Sequence, residues 1–376
     1  MRLCYNNNGD KTMIKVTLTN EIVKRILKIE ENKINIGNVD IPISISNKLR
    51  KSSKKKSSYA SNKIEGNPLS EIQADKAIES NNRHFLKPEQ EIRNYYNALN
   101  LLEKRVGDKQ EFSLDLILEV QKEIVSGSGK EKEGIRGEMP PGVLFAVYDD
   151  VTRMPEYIPP EHTDVLPLLN ELVTYVHDSD DHPIIKAAIV HYQLVTIHHF
   201  EDGNGRTARL MSDYVLDYYG YGFNKLGSLE EYFAYDIDEY YSSIQMGLPV
   251  LYYDGRNNPP HPEIWINYFL RMMELYSSKV LELSLSSIEN TIEGSVSHLN
   301  VKEKNFLKYI LNKNINDLIP IELSKKLNVT NRTIVNWCSK LSMNGFLIPN
   351  LVNKRIRSYS ITEFVKNNKK EIIRLL

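Results

Sequence analysis

Cysteine is nearly absent from the 376 residues. Cys4 and Cys338 stand at opposite ends of the chain, too few and too far apart for a disulfide framework or a cysteine-rich zinc site, and they suit a reducing compartment. Long apolar runs are missing as well. No stretch approaches the roughly 18 residues of a spanning helix, and the opening MRLCYNNNGDKTM lacks the apolar core of a signal sequence. Together these absences exclude a disulfide-stapled module and a polytopic membrane protein, and they point to a cytoplasmic chain without membrane contact. Net charge is close to absent too, at -1, which argues against a chain devoted as a whole to nucleic acid. No repeat or low-complexity tract appears. With 41% apolar and 26% charged residues, the chain reads as globular and long enough for two or three domains.

The charge is unevenly spread. From Val301 to Leu376 there are 15 Lys and Arg against 5 Asp and Glu, so a basic tail follows an acidic body and any nucleic-acid contact is confined to that tail. Apolar residues at three- and four-residue spacing predict helices over Gln90 to Arg105, Leu114 to Ser126, Thr163 to His177, Pro183 to Thr196, Gly205 to Tyr219, Ser228 to Gln245 and His261 to Leu283. The polybasic, serine-rich run KLRKSSKKKSS shows no apolar face and reads as a solvated linker. Past His298 the expected order is helix, helix, the short turn Asn328 to Thr330, helix and a hairpin across Asn353 to Arg355, which is a winged helix-turn-helix. The expected fold is therefore mainly α, an all-helical core with a small β-hairpin flap plus that C-terminal domain. Its divisions are residues 1–56 (N-terminal segment and basic linker), 57–110 (N-terminal helices), 111–290 (catalytic core) and 298–376.

The stretch that carries chemistry is His198-His199-Phe200-Glu201-Asp202-Gly203-Asn204-Gly205-Arg206-Thr207-Ala208-Arg209. Its two glycines let the backbone approach a ligand, and the helix that starts there offers free N–H groups and a positive dipole end to an anion. Arg206 and Arg209, three apart, share a helix face where two guanidinium forks suit different phosphates of one polyphosphate. Asp202, a carboxylate beside a phosphate cradle, suits Mg²⁺. His198 is the candidate base. A zinc site built on His198, His199 and Asp202 is the weaker alternative, since no further His or Cys cluster completes it.

These residues resemble the signature of the Fic family, His-Pro-Phe-x-Asp/Glu-Gly-Asn-Gly-Arg-x-x-Arg, with His199 as the departure where proline is usual. The resemblance runs over roughly Ser57 to Arg271. It implies transfer of AMP from ATP to a Ser, Thr or Tyr hydroxyl of a protein, the chain itself included, with release of pyrophosphate. In those terms His198 deprotonates the hydroxyl and Asp202 holds Mg²⁺. Asn204 with the amides of Gly203 to Gly205 holds the α-phosphate, Arg206 and Arg209 hold the outer phosphates, and Thr207 belongs to the same nucleotide loop. Tyr240 and Tyr241 match the nucleotide side. Gly134-Ile135-Arg136 followed by Val143, Leu144, Phe145, Ala146 and Val147 looks like the flap on which an extended target segment docks by main-chain pairing.

A second pattern, Ser61-Asn62-Lys63-Ile64-Glu65-Gly66, is similar to the family's inhibitory motif. The spacing of Ser61 and Glu65 lets the hydroxyl steady the carboxylate. The resemblance implies that Glu65 competes with the γ-phosphate for Arg209. Removal of AMP by the same site, and a nucleotide-sensing DNA-binding regulator, are the competing functions. In the tail, Arg332, Lys340, Lys354, Arg355 and Arg357 are the expected phosphate contacts, with DNA and protein docking both left open, as is a homodimer.

Overall fold

The computed structural model describes residues 14, 16–82, 84–127, 133–143, 145–148, 154–248, 261–352 and 355–376. Leu144, Asn353 and Lys354 lie outside them. The chain divides into two units, residues 1–36 with 46–281 and residues 37–45 with 282–376. In chain order the elements are α1 Asn20–Gly37, α2 Ile43–Ile64, α3 Glu71–Glu79, α4 Lys87–Gly107, α5 Leu114–Ile124, β1 Val147–Tyr148, β2 Pro155–Tyr157, α6 His162–Asp178, α7 Pro183–Ile197, α8 Asn204–Tyr218, α9 Glu230–Phe233, α10 Ile237–Gln245 and α11 Pro262–Ser297. There follow α12 Val301–Asn312, β3 Asp317–Leu318, α13 Pro320–Leu327, α14 Asn331–Met343, β4 Leu347–Val352, β5 Arg355–Ile361, α15 Glu363–Asn367 and α16 Lys369–Leu375. The fold is mainly α, and no helix among the described residues is long and apolar enough to cross a membrane.

In the first unit α7 is buried on almost every side, because its sequence PIIKAAIVHYQLVTI is apolar around the whole helix. Pro183 starts it at the first helical position, where a missing N–H costs nothing. Helix α8 packs beside it and is also largely buried, so the loop 198–203 that joins the two is held at both ends by core. The expected hairpin is present as β1 paired antiparallel with β2, Val147 opposite Tyr157.

The polybasic run departs from expectation. It forms the middle of α2 rather than a solvated linker, and its serines explain why. Ser53, Ser57 and Ser58 are buried, and the lysines around them each find a carboxylate: Lys51 to Glu79 at 3.4 Å, Lys54 to Glu103, Lys55 to Asp75 at 3.2 Å and Glu79 at 3.0 Å, and Lys56 to Glu231 at 3.0 Å. An inward face of small polar residues gives no apolar periodicity, so the helix is invisible to a hydrophobic pattern. The single helix expected over Ser228 to Gln245 is two, because the Asp236 side chain accepts from the Glu239 N–H at 2.9 Å and starts α10 afresh. Helix α11 continues past Leu283, since Ile288, Ile292 and Val296 extend its four-residue spacing into the core of the second unit. That unit carries a three-stranded antiparallel sheet in the order β3-β5-β4.

Candidate active site

Helix α7 ends on His198, which adopts left-handed backbone angles, φ 48° and ψ 54°. For a non-glycine residue that conformation costs on the order of 1 kcal/mol and persists only where the surroundings impose it. Arg136 imposes it. Its Nε donates to the His198 carbonyl at 2.9 Å, its backbone N–H donates to the His199 carbonyl at 3.0 Å, and a further guanidinium nitrogen donates to the Pro160 carbonyl. The same guanidinium lies 4.5 Å from the centre of the Phe145 ring, whose centre is 6.1 Å from that of His198. Flap and loop thus share one cation.

The His198 ring is oriented by its Nδ1, 3.2 Å from the Val195 carbonyl. A carbonyl only accepts, so Nδ1 carries the proton and Nε2 keeps its lone pair. Burial pushes this imidazole down to about 4, the Val195 bond works in the opposite direction, and Arg136 adds to the fall. His199, where the related signature has proline, is fully buried beside the Phe200 ring, and burial pushes it down to about 3. It is a neutral core ring rather than a second base. Phe200 is also fully buried and anchors the loop.

Gly203 caps α8 with φ 85°, and a Cβ there would stand 3.0 Å from Ile124 Cγ2. Both the angle and the space require glycine. Gly203→Ala is expected to lower stability by about 1 to 3 kcal/mol, measured as a fall in the thermal unfolding midpoint. The Thr207 N–H begins the helix ladder on the Gly203 carbonyl at 2.9 Å, which leaves the N–H groups of Asn204, Gly205 and Arg206 outside it and available to an anion. The Asn204 side chain, expected on the α-phosphate, is committed to the loop. It accepts from the Phe200 N–H at 2.9 Å and donates to the Phe200 carbonyl at 2.8 Å. What Asn204 offers a ligand is its backbone N–H. Thr207 is fully buried and packs beneath the loop.

The two arginines expected on one polyphosphate each hold a carboxylate. Arg206 pairs with Asp202 at 2.8 Å. Arg209, whose side chain is 1% exposed, pairs with Glu65 at 2.6 Å. The hydroxyl of Ser61, expected to steady Glu65, accepts from Arg209 Nε at 2.7 Å instead, and the Ser61 carbonyl accepts from the same guanidinium at 3.0 Å. The physical reason is charge: a buried guanidinium is the strongest donor in reach, and it takes both oxygens. Its remaining nitrogen lies 3.4 Å from the Tyr240 hydroxyl. Burial works against the Arg209 cation, and Glu65 is foremost among the groups that outweigh it, so the guanidinium is held charged well above its ordinary range. Glu65 also overlies the first turn of α8, since a Cβ on Gly205 would clash with its Oε1. The turn that delivers this carboxylate is closed by Gly66 with φ 78°, and by the Asn67 N–H on the Asn62 carbonyl at 3.0 Å.

Helix α2 is itself pinned from below. Ser57 Oγ donates to Glu230 at 2.9 Å, and the Tyr95 hydroxyl donates to the other oxygen of that carboxylate at 2.9 Å. Of the two tyrosines expected at a nucleotide, Tyr240 is almost fully buried, with its hydroxyl 2.8 Å from His191 Nε2. It supports Arg209 from the core side, while Tyr241 is about half exposed at 48%. In the flap, Val143 is exposed and Ala146 and Val147 are half-buried. Gln121 escaped sequence reading: from α5 it accepts from the Gly134 N–H at 3.1 Å and donates to the Asp202 carbonyl at 3.3 Å, joining flap entry to loop. Among the described residues no group of three or more His, Cys, Asp or Glu side chains gathers as a metal site.

Residues 111–216 match the model of the Fic/DOC family. Relatives include the protein adenylyltransferase fic-1 of Caenorhabditis elegans, 34% identical over 162 residues, which are 41% of this chain and 30% of the relative. Another is the protein adenylyltransferase Fic of Drosophila virilis, 25% identical over 230 residues, 58% of this chain and 45% of the relative. The chain thus spans less than half the length of either relative. Among solved structures, a Fic family protein from Desulfovibrio desulfuricans G20 superposes with a TM-score of 0.57 at 18% identity, covering 93% of this chain and 98% of that one. Residues 134–508 of Fic-1 from Caenorhabditis elegans give 0.54 at 21% identity, covering 72% of this chain and 73% of that one. At such identities these likenesses are ones of fold.

Proposed function

We propose that this Fic domain protein is a protein adenylyltransferase held silent by its own Glu65. The observation that carries the reading is the Glu65 to Arg209 ion pair of 2.6 Å at the mouth of an anion cradle. In the reaction so read, a Ser, Thr or Tyr oxygen attacks the α-phosphorus of ATP. The bond from that phosphorus to the bridging oxygen of the β-phosphate breaks and pyrophosphate leaves. The hydroxyl proton passes to His198 Nε2, the nitrogen left unprotonated by the Val195 contact. The N–H groups of Asn204, Gly205 and Arg206 and the dipole of α8 receive negative charge, while Arg206 and Arg209 take the outer phosphates once their carboxylate partners yield.

Mg²⁺ fits the donor chemistry at Asp202. That carboxylate is about a quarter exposed, at 26%, beside the cradle, and a single carboxylate completed by phosphate oxygens and water is how this ion is commonly held. Bound there, it would neutralise phosphate charge. Val143 to Val147 we read as the docking edge for an extended target, and the chain's own hydroxyls are within the target class.

The test is incorporation of label from ATP labelled at the α-phosphate, with none from ATP labelled at the γ-phosphate, by protein relieved of Glu65. Incorporation from the γ-position would make the protein a kinase and end this reading. A pH profile gives a second check. Because His198 is held down at about 4, the base is unprotonated throughout the neutral range, so the rate of a Glu65→Gly protein should stay level from pH 8 down to about 6. Loss of rate through pH 6.5, where an ordinary histidine titrates, would place an unperturbed group in control.

A further inference from the structure

The second unit carries a charged surface that AMP transfer does not use. Helix α13 stops on Asn328, in left-handed conformation with φ 54°, and Thr330 caps α14, accepting from the Thr333 N–H at 3.2 Å. The short turn between them makes a helix-turn-helix, and strands β4 and β5 follow as an antiparallel hairpin. One face of α14 packs inward through Ile334, Cys338 and Leu341. The opposite face shows Arg332, Asn336 and Lys340, all exposed and four residues apart, and α14 contains no acidic residue. On β5, Arg355 and Arg357 are exposed and, two apart, share one face of the hairpin. Among the described residues none of these four cations makes an ion pair or side-chain hydrogen bond.

The contrast with the other basic run is informative. Lys51, Lys54, Lys55 and Lys56 on α2 are each paired with a carboxylate, so they have little charge left for a polyanion. The four cations of the second unit are free to displace counterions from phosphates.

We propose that this unit is a winged helix-turn-helix that binds duplex DNA, with α14 in the major groove and the β4–β5 hairpin on the backbone beside it. The stripe from Arg332 to Lys340 is about 12 Å long at 1.5 Å per residue, the width of that groove. Arg332 and Asn336 bear the side chains that pair bidentately with guanine and adenine edges. Lys340, Arg355 and Arg357 take phosphates. A single strand would need exposed aromatic platforms, and the one aromatic ring of α14, Trp337, packs 5.2 Å from Phe306 in the core of the unit. The opposing feature is an exposed apolar edge of the hairpin, formed by Ile348, Leu351, Val352 and Ile356, which a protein partner would use. Val352 pairs with Arg355 and Ile356 stands between Arg355 and Arg357, so on the hairpin apolar and basic residues alternate, while Arg332, Asn336 and Lys340 give α14 a polar stripe.

The experiment measures binding of the full chain to a fluorescent mixed-sequence duplex of about 20 base pairs, two helical turns, by anisotropy over a salt series. Binding should be tight at low salt and weaken steeply as salt rises. Arg355→Ala and Arg357→Ala should each reduce the slope of log affinity against log salt by about one. The double variant Arg332→Ala/Asn336→Ala should weaken binding at least tenfold, with circular dichroism unchanged, while Lys51→Ala should bind as wild type does. The proposal fails if low-salt binding is absent, if the single strand binds as tightly as the duplex, or if Lys51→Ala weakens binding while the α14 and β5 variants do not. The proposal does not depend on the reading of the active site, and none of these variants touches it.

Discussion

Glu65→Gly is expected to raise adenylylation, of the protein itself and of any target, by at least tenfold over wild type at matched protein and Mg-ATP. On the proposed reading Glu65 and an outer phosphate compete for a single guanidinium. Every nitrogen of Arg209 is taken, by Ser61, Glu65 and Tyr240, and Glu65 alone among these brings a negative charge to the place where an outer phosphate is needed. On that reading a nucleotide binds with its terminal phosphate displaced, which misaligns the bond that must break. Glycine removes the charge without adding bulk, and tenfold corresponds to about 1.4 kcal/mol of released competition, of the order that a partly buried charge-assisted bond supplies. Arg209→Ala should not mimic the effect, since it deletes the phosphate ligand along with its competitor. Labelling that is equal in the two proteins would remove Glu65 from control. Slower removal of AMP from modified protein by Glu65→Gly would instead assign the carboxylate to orienting a water.

His198→Ala, made in the Glu65→Gly background, is expected to lower AMP transfer by about 10² to 10⁴-fold, the range for loss of a positioned base, with ATP affinity changed by less than a few fold. The separation of effects follows from the geometry. The cradle is backbone N–H groups and guanidinium forks on α8, whereas His198 sits at the end of α7 and points its unprotonated Nε2 away from the Val195 carbonyl. Nucleotide affinity is read by titration calorimetry and transfer by label. Equal losses in both would show that His198 holds the loop rather than the proton.

The position of the loop 198–209 was legible because it is contiguous: a helix end, two glycines and the first turns of the next helix lie within a dozen residues, so spacing alone brings His198, the glycines, Arg206 and Arg209 to one helix start. What was not legible is what those side chains find across the fold. Arg136 braces His198 from 62 positions away, and the flap pattern that contains it does not announce that contact. The roles of Ser61 and Asn204 changed for a common reason. A polar side chain near a helix end takes the strongest partner that packing brings to it, which for Ser61 is a buried guanidinium and for Asn204 the backbone of Phe200. Helix α2 stayed hidden because its buried face is serine, and Tyr240 read as a ligand contact although it is core. The amphipathic helices α4, α5 and α6 were readable to within a few residues, since each buries one apolar stripe.

The central claim is that the wild-type chain carries a complete adenylylation site closed by one carboxylate. The most direct measurement is the intact mass of wild type and Glu65→Gly after identical exposure to Mg-ATP. The account predicts an unchanged wild-type mass and a Glu65→Gly mass raised by one or more adenylyl groups. A rise by phosphoryl groups, or the same adenylyl gain in both proteins, would contradict it.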